Sequence, residues 1–140
     1  MSQPYVKAGY TLSEVTARII AAAQEVHRTL GPGFEEVIYQ RALAHELPAH
    51  DLEFSREVWI DVCYKGMKVG KKRVDFVIGT STTSLGVMLE LKAKARIEDV
   101  DFIQALSYLK ASGYKIGLLL NFGARTLETK RLANERGVNR

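Results

Sequence analysis

The sequence predicts an α/β fold, a mixed β-sheet flanked by helices in the order ααβββαβα. Three observations carry that expectation. Two stretches with apolar residues at helical spacing come first, three runs with strand character follow without a helix between them, and a return to helical spacing then leads into a run that is almost wholly apolar.

Thr11-Leu12-Ser13-Glu14 has capping-box spacing, so a helix is expected to start there. Leu12, Val15, Ile19, Ala23, Val26 and Leu30 recur at three- and four-residue steps, and Gly31-Pro32-Gly33 stops the pattern. A second helix is expected from about Phe34 to Leu47, ahead of Pro48, with Phe34, Val37, Ile38, Leu43 and Leu47 as its buried side. Glu36, Tyr39, Gln40 and Leu43 share a neighbouring stripe, which aims Glu36 at the core boundary. A carboxylate in a first turn is also explained by the helix dipole alone.

Phe54 to Tyr64 alternates Phe54, Val58, Ile60, Val62 and Tyr64 with mostly polar positions, the pattern of a half-buried antiparallel strand. Lys65-Gly66 is expected to turn the chain into a strand containing Asp75, and a polar segment, Gly79 to Ser84, to join that strand to one containing Glu90, giving a three-strand meander. From about Glu98 to Ser112, Val100, Ile103, Leu106 and Leu109 mark one helix face, and Gly113 ends it. The run Tyr114 to Leu120 reads as a strand buried on both faces, as expected of a parallel neighbour reached by a helical crossover. A polar helix containing Leu127 and Leu132 is expected to close the chain.

With 140 residues, 46% of them hydrophobic, residues 1–140 are expected to form a single domain, with 1–10 loosely held. The formal charge of +4 is mild, but Lys65, Lys68, Lys71, Lys72 and Arg73 fall together with no acid among them. Such a cluster is either a solvated hairpin tip or a phosphate-binding patch. Cys63 is the only cysteine, which excludes an internal disulfide and a cysteine-ligated metal centre, and fits a cytoplasmic location. No run approaches the roughly 18 apolar residues that a membrane span requires, so no membrane partner is expected. His27, His45 and His50 lack metal-ligand spacing and are expected at the surface or at helix ends. No glycine-rich phosphate loop opens a helix.

The unusual stretch is Arg73 to Ala93. Both strand-like runs carry charge inside apolar sequence, where an ordinary core strand carries none. Period-two alternation puts Glu90 and Lys92 on one face, and strand pairing brings Asp75 beside them. Two carboxylates and a lysine converging on one face suit a hard divalent cation, which one or two carboxylates and several waters can hold. The Leu91 carbonyl adds a ligand if the backbone turns there, and Lys92 is positioned to neutralise charge on a reacting phosphate. The competing reading is a buried ion pair retained for specificity.

Gly33-Phe34-Glu35-Glu36-Val37-Ile38-Tyr39 resembles the signature of the GxxExxY proteins. The resemblance continues through Asp75, Glu90-Leu91-Lys92, Gln104-Ala105-Leu106-Ser107-Tyr108 and Leu119-Leu120-Asn121-Phe122-Gly123, covering about residues 11 to 135. That family looks like a compact branch of the PD-(D/E)XK nucleases, and the resemblance implies a restriction-endonuclease-like core. It also implies that Asp75 and Glu90 bind Mg2+ or Mn2+, with Glu36 as a further candidate ligand, and that Lys92 is catalytic. Gln104 and Tyr108 are similar to the QxxxY motif of RecB-like nucleases, where these residues orient substrate, and Tyr39 is given the same expected role. Val74 stands where the superfamily's naming proline would be.

The expected function is thus a metal-dependent nuclease acting on nucleic acid, DNA foremost, with Lys68, Lys71, Lys72 and Arg73 binding its backbone. The alternative is a catalytically silent nucleic-acid- or protein-binding module on the same fold. Small size also raises a homodimer or a partner subunit as the way to grip a duplex.

Overall fold

A computed structural model describes residues 11–79 and 86–134. The turn-rich segment expected to join the Asp75 and Glu90 strands, the first ten residues and the last six lie largely outside this range. Helix α1 (Leu12–Leu30) begins at the Thr11 capping box: the Glu14 amide donates to Thr11 Oγ1 (3.1 Å) and the Thr11 amide to Glu14 Oε1 (2.7 Å). It stops at Gly31, whose φ of 71° lies in the region that disfavours a Cβ. Helix α2 (Glu36–Glu46) follows and passes into a 3-10 turn at Leu47–His50. None of the described helices is long and apolar enough to cross a membrane.

Strands β1 (Phe54–Tyr64), β2 (Met67–Ile78) and β3 (Val87–Lys92) form the antiparallel meander, with Lys65 and Gly66 both at positive φ in the tight β1–β2 turn. Helix α3 (Asp99–Ser112) then crosses over to β4 (Ile116–Asn121), which pairs parallel to β3. The crossover explains why β4 is apolar on both faces: helices cover each side. Val15, Ile19, Ala23 and Leu43 of α1 and α2 pack with Phe76, Leu89, Leu91 and Leu120 on one face of the sheet. Ala105 and Leu109 of α3 pack with Val77, Met88 and Leu119 on the other.

The chain closes differently from expectation. Residues Glu128–Ala133 form a strand, β5, antiparallel to β4, and the five-stranded sheet has the order β1-β2-β3-β4-β5. Leu127 and Leu132 are five residues apart, a spacing that shares no helical face but sends two strand residues to opposite sides. Accordingly Leu127 packs toward the α1–α2 layer and Leu132 is buried against α3. The exposed Lys130 and Arg131 protect this edge from pairing with another chain.

Helix α2 is also rotated from the expected orientation. Tyr39, Leu43 and Leu47 are buried, whereas Phe34 and Val37 are exposed. The Tyr39 hydroxyl donates to the Gly31 carbonyl and accepts from the Phe34 amide, and its ring stacks on Phe122 with centroids 4.9 Å apart. Tyr39 therefore fastens the α1–α2 turn to the sheet. It has no free face for a substrate, which corrects the orienting role expected for it. His27 lies in the last turn of α1, one of its two expected placements, with its carbonyl accepting from the Gly31 amide (2.8 Å); its ring is buried, Nε2 lying 2.9 Å from the Ala124 carbonyl oxygen.

Candidate active site

The β2–β3 ladder runs only from Ile78↔Val87 to Phe76↔Leu89. Beyond it the strands part, and the two carboxylates fill the fork. The Asp75 amide donates to Glu90 Oε2 (3.2 Å), and the Leu91 amide donates to Asp75 Oδ2 (2.8 Å). Side-chain oxygens thus replace the backbone acceptors that a continuing ladder would have supplied.

The strand changes sides here. Val74 packs in the α3 layer, while Phe76, two residues on, packs in the α1–α2 layer. A regular strand keeps such residues on one face, so the change falls at Asp75. The partner strand turns with it. Arg56↔Phe76 and Val58↔Val74 stay in register on either side of Glu57, which adopts a φ of 53°.

The electrostatics of the fork are those of anions short of positive charge. Burial, then the neighbouring Asp75, pushes the Glu90 carboxyl up to about 8; the Asp75 amide and the Lys92 ammonium oppose this only in part. Glu90 is 8% exposed. Burial also raises Asp75, against the Leu91 amide and the charges of Lys92, Arg56 and Arg73. Glu36, the first residue of α2, is raised by burial and then by Asp75, with Lys92 and a hydrogen bond from Gln40 (3.2 Å) opposing. The helix dipole alone would have lowered it, so burial, reinforced by the nearby Asp75, outweighs the dipole.

Lys92 points across the fork to α3, its Nζ 3.5 Å from Gln104 Oε1 and 4.0 Å from Asp101 Oδ1. Asp75, Glu90, Lys92, Glu36 and Gln104 are thus brought together as the sequence suggested. Tyr108 lies one turn along α3, partly buried against the core of that layer. Among the described residues no group of three or more His, Cys, Asp or Glu side chains has a geometry ready to hold a metal ion. Magnesium is usually held by one or two carboxylates with several waters, and Asp75 and Glu90 present two adjacent ones, both shifted upward chiefly by burial.

Several residues at the site were not singled out from sequence. Arg56 lies over the Phe76 ring, 5.3 Å from its centroid, with its Nε buried and without a hydrogen-bond partner. The signal was available: Arg56 occupies an inward position in the alternation from Phe54 to Tyr64. Asp101 is buried, caps α3 by accepting from the Glu98 amide (2.9 Å), and pairs with Lys94 at 2.9 Å.

The segment after Lys92 is held by Asn121, which is fully buried. Its Oδ1 accepts from the amides of Lys94 (3.0 Å) and Gly123 (3.1 Å), while its Nδ2 donates to the Lys94 carbonyl (2.9 Å) and to Glu128 Oε1 (2.8 Å). The Phe122 amide donates to the Lys92 carbonyl at 2.8 Å. Gly123 must lack a side chain, since a Cβ there would lie 2.3 Å from the Lys94 nitrogen.

The basic residues ahead of the fork occupy the β1–β2 ribbon, which extends past the rest of the sheet because the stretch from Met67 to Val74 pairs with β1 alone. Lys68 is bound to Asp61 at 3.1 Å, Lys71 and Arg73 lie over Trp59, and Lys72 is exposed opposite Ile60.

Searches of curated proteins and of solved structures returned no match for this chain. The family model for the PD-(D/E)XK nuclease superfamily matches residues 13–132, which span α1 to β5 except for the first residue of α1 and the last of β5, and include all five residues gathered at the fork. The chain belongs to the PD-(D/E)XK nuclease superfamily.

Proposed function

We propose that this domain hydrolyses phosphodiester bonds of nucleic acid, DNA foremost, with Mg2+ or Mn2+ held at the fork, as a member of the GxxExxY branch. The observation that carries the reading is the set of carboxylates, Asp75, Glu90 and Glu36, all displaced toward their protonated forms around one lysine. A purely structural ion pair would balance its charges; here the three carboxylates outnumber the lysine they surround.

Asp75 and Glu90 are the ligands in this reading, with the Leu91 carbonyl and Glu36 completing the site. A cation held by these residues would supply Lewis acidity toward the phosphodiester and a more acidic water. Lys92 reaches over the reacting phosphate and offsets the negative charge that builds on it. Gln104, within reach of the Lys92 ammonium, holds that side chain over the fork and, with Tyr108, orients the strand. Lys68, Lys71, Lys72 and Arg73 bind its phosphates.

The test is cleavage of labelled single-stranded, duplex and branched DNA, and of RNA, with either metal and with chelator. Cleavage that chelator stops and that Asp75→Ala or Lys92→Ala removes is expected. Binding without cleavage of any of these substrates would instead identify a silent nucleic-acid-binding module.

A further inference from the structure

The β1–β2 ribbon carries a feature that a solvated hairpin tip does not need. Trp59, the only tryptophan in the chain, is 55% exposed, with the Lys71 ammonium 4.6 Å and the Arg73 guanidinium 5.5 Å from its ring. Trp59 pairs with Arg73 and Asp61 with Lys71, so these four side chains stand on one face of the ribbon. Asp61 is the only carboxylate between residues 59 and 73, and Lys68 already binds it. Five cationic side chains lie in the same segment, giving it a net charge as large as the formal +4 of the whole chain.

We propose that this face is a stacking platform for single-stranded nucleic acid, an unpaired base lying on Trp59 with Lys71 and Arg73 on the flanking phosphates. The proposal deepens the nuclease reading and rests on it for the strand's destination. An exposed indole beside cations matches the two chemistries of an unpaired strand, a π-face and a phosphate, at adjacent points. In a duplex the bases stack on one another and have no face to offer, so the same surface would contribute only its charge. A second copy of this chain is disfavoured as the occupant, because two such ribbons would bring like charges together. The direction of the ribbon matters as well. Arg73 is two residues from Asp75, about 7 Å along the strand, so a nucleotide on Trp59 has its neighbouring linkage beside the fork.

The test is a titration in chelator, following the emission of the one tryptophan, with oligothymidylate and with a blunt duplex of the same length. Saturable quenching is expected with the single strand, and binding at least about tenfold weaker with the duplex. With a labelled oligonucleotide and anisotropy, Trp59→Ala is expected to weaken single-strand binding by about tenfold or more and Trp59→Phe to retain most of it. Circular dichroism confirms that both variants fold. Equal affinity for both forms, or unchanged binding by Trp59→Ala, overturns the proposal. So does emission that responds only to protein concentration as the particle mass doubles, which would make the ribbon a self-association surface. Because no metal is present, the outcome is independent of cleavage: loss of cleavage in Asp75→Ala tests the fork, and the ribbon can fail while the fork stands, or the reverse.

Discussion

Strand β2 carries charge at both ends of its length, and the two ends treat it oppositely. From Met67 to Arg73 the strand is exposed, and its cations are solvated, lie on an indole ring or, at Lys68, pair with the exposed Asp61. At Asp75 the same strand enters the sheet, and its carboxylate shares a closed fork with Glu90. On the ribbon, water screens the charges, so each contributes little to folding and remains available to a polyanion. In the fork, burial keeps the carboxylates from ionising freely, so charge there opposes folding and favours a cation. One strand thereby holds charges that water screens next to charges that burial confines.

Breaking the fork should have the largest effect. Lys92→Ala and Asp75→Ala are expected to lower cleavage on the order of a thousandfold while leaving binding in chelator nearly unchanged, as measured by initial rates and anisotropy. Equal losses of binding and cleavage would mean that the two regions are not separable.

The next effect is on stability and has a definite sign. Between the ordinary glutamate value of 4.5 and about 8, the folded protein holds a proton on Glu90 that the unfolded chain releases. Metal-free protein should therefore lose stability as pH rises through that window, on the order of a few kcal/mol, with Asp75 and Glu36 adding in the same direction. Denaturant midpoints at pH 5.5 and 8.5 measure this. Glu90→Gln should flatten the slope and be more stable than the wild type at pH 8.5; a slope unchanged in that variant would remove the fork as its source.

Asn121→Ala should follow, at about 2 kcal/mol of destabilisation, because it strands the Lys94 backbone and the Gly123 amide. Its effect on cleavage should exceed that of an equally destabilising core substitution, since the segment it holds begins at Lys92. The smallest effect belongs to the ribbon. Lys71→Gln should change stability by less than about 0.5 kcal/mol, yet reduce the salt dependence of nucleic-acid binding by roughly one phosphate contact.

The fork was legible in the sequence for a physical reason. Charge inside an apolar strand run is costly, so Asp75, Glu90 and Lys92 stand out, and alternation puts them together. Helix spacing aims Glu36 at the core boundary, while its role and that of Gln104 rest on the family resemblance; the structure brings both to the same fork. Tyr39 misled because a tyrosine in a motif reads as functional, while its hydroxyl is used up by backbone partners. Strand β5 was hidden because an edge strand can be polar nearly throughout, with only Leu132 fully buried to betray it. Asn121 acts through Lys94 and Glu128, partners that spacing does not link to it, whereas Arg56 is marked only by its inward place in the β1 alternation. The ribbon's cations were visible as a cluster, but their relation to Trp59 depends on cross-strand register, which only the paired structure supplies.

The central claim, that the fork is a divalent-cation site, is tested most directly by titrating Mn2+ into metal-free protein and following the free-ion paramagnetic resonance signal. Saturable uptake of one or two ions per chain, lost in both Glu90→Gln and Asp75→Asn, is the predicted result. No saturable uptake by the wild type, or uptake unchanged in both variants, would contradict it.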